Sequence, residues 1–164
     1  MREIALHGRK PTGLVALVDD ADYKRLAGHV WRVQHSRKSV YASRVVRGRV
    51  CMMHNEIASP PDGMVWDHVD RDGLNNQRVN LRPATRSQNQ QNRSGWTRAD
   101  AAKSSGFKGV SWDKSRKLWM TKITVDYKTV NLGRCATVEE AAKVYDEAAK
   151  KYFGEYARPN GDAL

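Results

Sequence analysis

An Asp-His pair and two later asparagines are the side chains in this sequence best suited to chemistry. Asp67 and His68 end an apolar stretch and are followed by a polar loop that contains glycine. Asn80 lies twelve residues after His68, and Asn89 lies nine residues after Asn80. A carboxylate, an imidazole and amide oxygens at these positions are the groups that hydrolysis of a phosphodiester would use.

That reaction needs a base to take a proton from water and a hard cation to neutralise charge on the phosphate. His68 suits the first task because the pKa of an imidazole lies near neutrality. The oxygens of Asp67 and Asn89 suit a cation such as Mg²⁺, which keeps several waters and needs few protein ligands. Adjacent strand residues point to opposite faces, so both members of the pair serve one site only where the strand bends or ends.

The spacing of this segment resembles the HNH nuclease motif, also called the His-Me finger or ββα-metal motif. The resemblance runs from about Met53 to Arg93 through M-H, P-P-x-G, D-H, N-N, N-L-R and N-x-x-N-R, and it is close to the homing endonucleases of phages and introns. It implies His68 as general base and Asn80 as the residue that braces the hairpin and orients His68. It also implies Asp67 and Asn89 as ligands of one divalent cation, Mg²⁺ or Mn²⁺. The last position is Asn where many relatives have His, a variant found in the homing branch.

The remaining polar residues near the motif are predicted to be structural. Asp70 and Asp72 are typical of turn chemistry. His54, before the motif, is predicted to support the fold.

The charge of the chain predicts a polyanionic partner. It has 29 Lys and Arg against 18 Asp and Glu, a formal net charge of +11. Such a surface attracts nucleic acid. The sequence predicts no membrane span and no signal peptide. Cys51 and Cys135 are far apart, so neither a zinc site nor a disulfide framework is expected, and a cytoplasmic setting in a bacterial or phage-infected cell is predicted.

The predicted fold class is α+β. Small N-terminal strands precede a ββα-metal nuclease core, and a linker leads to a three-stranded antiparallel sheet packed on one helix. The predicted boundaries are 1–92 for the nuclease domain, with its core motif at about 53–92, then 93–105 for the linker and 106–160 for a second domain. Early strands are expected within 13–20, 29–34 and 39–57, the last turning at Gly48, with one or two helical turns between the first two.

The C-terminal third has a well-marked helix. Thr137 followed by Glu140 forms a capping box, and Gly154 is a stop signal. The residues predicted to form its apolar face are Ala141, Tyr145, Ala148, Ala149 and Tyr152. In the preceding strand, Trp119, Thr121, Ile123 and Val125 are expected to face this helix, and Leu118, Met120, Lys122 and Thr124 are expected on the other face.

This part of the chain resembles the apetala-type, or ethylene-response-factor-like, DNA-binding domain over about residues 105–160. GFKGVSWD, the LWMTKI strand, NLG, T-x-E-E-A-A-x-x-Y-D-x-A-A and G-E-Y-A-R-P-N carry the resemblance. It implies that the sheet reads double-stranded DNA. The residues implied to face the groove are Lys108, Ser111, Lys122, Thr124, Thr129 and Asn131. In the linker, Arg93, Arg98 and Lys103 are expected to contact phosphate.

The sequence therefore predicts a sequence-specific, metal-dependent DNA endonuclease of the homing type. One alternative is a non-catalytic DNA-binding protein with a decayed nuclease module, and another is an RNA-acting or structural protein of a mobile element. One motif gives one active site per chain, so a monomer would most simply nick one strand. A double-strand break would need a homodimer or a second cleavage event, and the sequence leaves this open.

Overall fold

The computed structural model describes residues 1–8, 13–36, 39–92 and 105–160. The chain forms two compact units, Met1–Arg86 and Ser87–Leu164. The predicted linker falls outside the described residues except for Ser105, and so do Arg93, Arg98 and Lys103. No helix in the described part of the chain is both long and apolar enough to cross a membrane.

A five-stranded sheet forms most of the first unit. Its strands are β1 (Arg2–His7), β2 (Val15–Val18), β3 (Trp31–His35), β4 (Val40–Val46) and β5 (Arg49–Met52). Their order across the sheet is β2-β1-β3-β4-β5, and only the β1–β3 pair is parallel. The strands expected within 13–20 and 29–34 and the turn at Gly48 are confirmed.

Two short helices, α1 (Asp20–Ala27) and α2 (Met53–Ile57), accompany this sheet. The strand predicted over 39–57 was wrong in its last part, because β5 ends at Met52 and α2 follows. Met53 and Ile57 are buried by this turn of helix. The core also includes Ile4, Leu6, Ala16, Val18, Leu26, Trp31, Ala42 and Leu81.

The motif segment forms an antiparallel hairpin. Its strands are β6 (Val65–His68) and β7 (Leu81–Ala84), and α3 (Arg86–Asn92) follows in the chain. Leu81 places the start of β7 in the core of the first unit. The long connection between β6 and β7 is therefore anchored at both ends, and it carries the polar residues 69–80.

The second unit has the predicted α+β arrangement. Strands β8 (Val110–Asp113), β9 (Leu118–Val125) and β10 (Lys128–Cys135) form an antiparallel sheet in the order β10-β9-β8, followed by α4 (Val138–Phe153). The capping box at Thr137 and Glu140 is present, and the helix ends before Gly154.

The apolar face of α4 differs from the prediction at Ala142, which is also buried, and at Tyr152. Ala141, Tyr145 and Ala149 are buried, but Tyr152 is 44% exposed. Phe153 packs on the core instead. Gly109 allows this helix to approach closely, because a Cβ at that position would collide with the ring of Tyr145.

Candidate functional site

His68 is the last residue of β6, where the strand gives way to a turn. Its side chain is buried and lies in a cluster of three rings. The ring centroid of His68 is 5.3 Å from that of His54 and 5.8 Å from that of Tyr41. His54 and Tyr41 come from α2 and β4, so the five-stranded sheet and its helix position the candidate base.

Burial favours the neutral form of both imidazoles. It lowers the pKa of His68, while the neighbouring Asn76 side chain and the charge of Asp70 act in the opposite direction. Burial, helped by the charge of His68, lowers the pKa of His54 to about 4. A neutral imidazole is the form that accepts a proton.

Asp67 lies beside His68 in sequence and is almost fully buried. In the register of the hairpin it stands directly opposite Arg82. The Arg82 guanidinium donates from Nε to Asp67 Oδ2 at 2.9 Å, and a second nitrogen lies 2.8 Å from the same oxygen. Sequence reasoning missed this ion pair, although Arg82 lies within the N-L-R motif.

Asn80 ties down the connection that follows His68. Its amide nitrogen donates to Asp70 Oδ1 and to the Asn75 carbonyl, both at 2.8 Å, and its Oδ1 accepts from the backbone of Asp70 at 2.9 Å. The Asn80 carbonyl also accepts from the backbone of Val69. The amide thus fixes the residues directly after the candidate base.

Asp70 and Asp72 have the turn roles that were predicted for them. Asp70 Oδ1 accepts from the backbone of Asp72, and Asp72 Oδ1 accepts from the backbone of Leu74. These short bonds make the connection rigid.

Asn89 lies on α3 and is half-buried. It belongs to the second unit, after the boundary at Arg86. Its role beside Asp67 stays a prediction. Among the described residues, no group of three or more His, Cys, Asp or Glu side chains is arranged to hold a metal ion. The predicted ligands, one carboxylate and one amide oxygen, are of the kind that suits a hard cation that keeps waters.

In the second unit, five of the six predicted DNA-facing residues share one face of the sheet. Asn131 pairs with Lys122, and Thr129 pairs with Thr124, so each pair projects from the same side. All four are exposed, as is Ser111. The opposite side carries the buried Thr121 and Ile123, and Thr121 donates to the carbonyl of Ala141 on α4.

Lys108 is placed differently from the other five. It is half-buried, its Nζ donates to the Gln91 carbonyl at 3.0 Å, and it lies 6.0 Å from the centre of the Tyr145 ring. Burial and the charge of Arg158 lower its pKa to about 8. The face of the sheet away from α4, here called the open face, also carries Met120, as predicted, and Arg134, which was not predicted; the two stand opposite each other.

Two family models match this chain, one over the nuclease motif and one over the C-terminal part. The profile of the HNH endonuclease family matches residues 50–91, and that of the AP2 domain matches residues 105–155. The chain is 32% identical over 98 residues to Protein 3.8 of Escherichia phage T7, covering 60% of this chain and 77% of that protein.

It is also 33% identical over 100 residues to an uncharacterized HNH endonuclease of Acanthamoeba polyphaga mimivirus, covering 61% of this chain but only 49% of that relative. No solved structure matches. The chain belongs to the HNH endonuclease family and carries an AP2 domain after its HNH region.

Proposed function

We propose that this protein is a divalent-metal-dependent DNA endonuclease that hydrolyses a phosphodiester at a site selected by its C-terminal sheet. The observation that carries the proposal is the buried Asp67-His68 pair at the end of β6, followed by a turn that Asn80 holds in place.

His68 acts as the general base. Burial lowers its pKa and so favours an imidazole that is ready to take a proton from the attacking water. The rings of Tyr41 and His54 limit the orientations open to it. Asn80 keeps the following turn fixed, so that the backbone at His68 has one conformation.

Asp67 and Asn89 are the residues that would hold the cation, Mg²⁺ or Mn²⁺. When bound, the cation supplies positive charge that offsets the charge developing on the phosphate and the leaving oxygen. The Asp67 carboxylate already bonds Arg82, which orients it at this buried position.

The open face of the C-terminal sheet binds the DNA duplex. Its DNA-facing residues are Ser111, Lys122, Thr124, Thr129 and Asn131. The major groove admits a two-stranded β-ribbon, such as β9 and β10, and hydroxyl and amide groups can contact base edges there. Lys108 is left out of this set because its ammonium group lies against Gln91 and Tyr145.

The test is cleavage of a supercoiled plasmid with Mg²⁺, with Mn²⁺ and with a chelator. We expect metal-dependent cleavage that His68→Ala reduces by at least about 100-fold, the usual contribution of a general base. DNA affinity should change less than about twofold in this variant, because His68 is buried. His29→Ala, at an exposed histidine of the same unit, is the matched control.

The products also distinguish the alternatives. Open circles indicate a nick. Linear DNA indicates a double-strand break, made by a dimer or by a second cleavage event. Duplex binding without cleavage under any divalent cation would support the non-catalytic DNA-binding alternative. Preferential binding of RNA in competition would instead favour the RNA-acting alternative.

A further inference from the structure

The hairpin of β4 and β5 ends in a tight, positively charged turn. Val46 pairs with Arg49, so only Arg47 and Gly48 lie between the strands. Both turn residues have positive φ, 49° and 77°. This is the conformation of a two-residue hairpin turn, in which Asn or Gly is favoured at the first position.

Arg47 is therefore an unfavourable choice for its backbone conformation. Neither Arg47 nor Arg49 has an ion pair or side-chain hydrogen bond that the structure shows within its described residues. The turn thus gives up some stability and presents two guanidinium groups to solvent.

Two exposed valines stand beside these charges. Val45 is 64% exposed and Val50 is 59% exposed, and the two pair directly across the hairpin. Adjacent exposed apolar side chains within a basic surface are typical of a binding site.

This apolar pair lies on the same face of β4 as Tyr41, because alternate strand residues share a face. Tyr41 contacts the ring of His68. The distance along the strand from Tyr41 to Val45 is about 13 Å, or about four base-pair steps of DNA. A duplex that lies along this face with a phosphate at His68 would therefore reach the turn.

We propose that residues 45–50, the hairpin tip, bind the DNA duplex beside the phosphate that is cut. Arg47 and Arg49 contact phosphates, and Val45 and Val50 pack against the sugars and the groove wall. This inference rests on the proposed nuclease function. A contact between two copies of the chain is the weaker alternative, since it would bring four guanidinium groups together.

The test uses the full-length protein and a DNA duplex that contains the cleavage site. Arg47→Asn should keep or raise the unfolding temperature, because Asn adopts positive φ more readily. It should nevertheless weaken DNA binding about fivefold to tenfold at 0.1 M salt and reduce the salt slope of log K by about 0.9, as for one lost phosphate contact. Arg49→Gln should reduce the slope by a similar amount.

Lys24→Gln is the matched control. Lys24 is an exposed lysine of α1. Leu26 of the same helix packs in one core with Ala42, which lies on the face of β4 opposite Tyr41 and Val45. Lys24 therefore belongs to a helix on the side of the sheet away from the hairpin valines. We expect this variant to leave affinity and slope within about twofold of the unchanged protein.

Unchanged affinity and salt slope in both Arg47→Asn and Arg49→Gln would overturn the inference. A self-association that Val45→Ser/Val50→Ser abolishes without any change in DNA affinity would also overturn it. Plasmid cleavage by the unchanged protein is measured in parallel, so a protein that binds through the hairpin tip but never cuts would overturn the nuclease proposal alone.

Discussion

Gly73 shows how a single residue keeps the candidate base in place. A Cβ at this position would collide with the carbonyl of Val40 and the ring of Tyr41, which contacts His68. We expect Gly73→Ala to displace Tyr41 and lower the free energy of unfolding by about 1–3 kcal/mol, as for other overpacked sites. Cleavage should slow because the ring beside His68 has moved. Urea unfolding and plasmid cleavage measure the two effects.

Gly28→Ala is the control for that change. Gly28 follows α1, has an ordinary negative φ and has open space where a Cβ would lie. If Gly73→Ala were as stable and active as Gly28→Ala, the close packing around Tyr41 would not matter for His68.

Lys108 makes a pH-dependent contribution to the stability of the second unit. Its pKa is about 8 in the folded chain, against 10.5 for an ordinary lysine, because the side chain is partly buried. Between these values the unfolded chain binds more protons, so the free energy of unfolding contributed by Lys108 rises with pH.

We therefore expect Lys108→Met to raise the free energy of unfolding above that of the parent protein, and to do so more at pH 7 than at pH 10. The difference between variant and parent should shrink by about 1 kcal/mol across this range. Urea unfolding at several pH values measures it, with Lys122→Met at an exposed lysine as control. A difference independent of pH would contradict the partly buried placement of Lys108.

Among the elements, those fixed by local sequence were predictable and those fixed by distant contacts were not. The helix α4 has its own capping box and apolar stripe, so its start and end were predicted correctly. The strand β1 was missed, and what holds it is its pairing with β2 and β3. The helix α2 was missed because its five residues depend on burial of Met53 and Ile57.

The same reason separates the predicted from the unpredicted parts of the site. Asp67, His68 and Asn80 were predicted as site residues because their spacing along the chain resembles that of the HNH motif. The contacts of His68 with Tyr41 and His54 depend on how the sheet, α2 and the hairpin pack. Arg82 could have been paired with Asp67 only once the register of β6 and β7 was known.

The link between α1 and the 3₁₀ turn Arg78–Asn80 is one such contact between elements. Arg78 donates from Nε to Asp22 Oδ2 at 2.8 Å, and the backbone of Arg78 donates to Asp19. Asn80 lies two residues later, so this link also positions the residue that fixes the turn after His68. Asp22→Asn should lower the free energy of unfolding by about 2 kcal/mol at pH 7, less than for a fully buried pair because Arg78 is half exposed.

This loss should depend on pH in a defined direction. The hydrogen bond from Arg78 lowers the pKa of Asp22 below its usual 3.8. Its stabilising contribution is then complete above about pH 4 and is lost as the pH falls through the folded pKa. The effect of Asp22→Asn measured by urea unfolding should therefore be smaller at pH 2 than at pH 7. Asp20→Asn, at an exposed residue of the same helix, should lower the free energy of unfolding less than Asp22→Asn does at either pH. Equal losses in the two variants would contradict the link between α1 and the 3₁₀ turn.

In the function proposed for the whole molecule, the general base lies in the first unit and site selection belongs to the second. His68 lies in the first unit, and the open sheet face lies in the second. Substitution of Lys122 and Asn131 together should leave metal-dependent cleavage at low salt intact, because neither residue belongs to the catalytic set. It should reduce the preference for the target site by at least about tenfold, since a base contact discriminates by about 1–3 kcal/mol.

Selection of cleaved sites from a random duplex library, with the ends mapped on both strands, measures this preference. Lys122→Gln/Asn131→Ala is compared with Lys143→Gln, which removes a charge from the exposed side of α4. Phosphate contacts add affinity without sequence information, so a uniform fall in cleavage at all sites would indicate a phosphate-binding sheet. A change in the selected sequence, with the overall rate kept, is the result expected of a sheet that reads bases. Because the proposed general base lies in the other unit, His68→Ala should give the opposite pattern, binding the same sequences without cutting them.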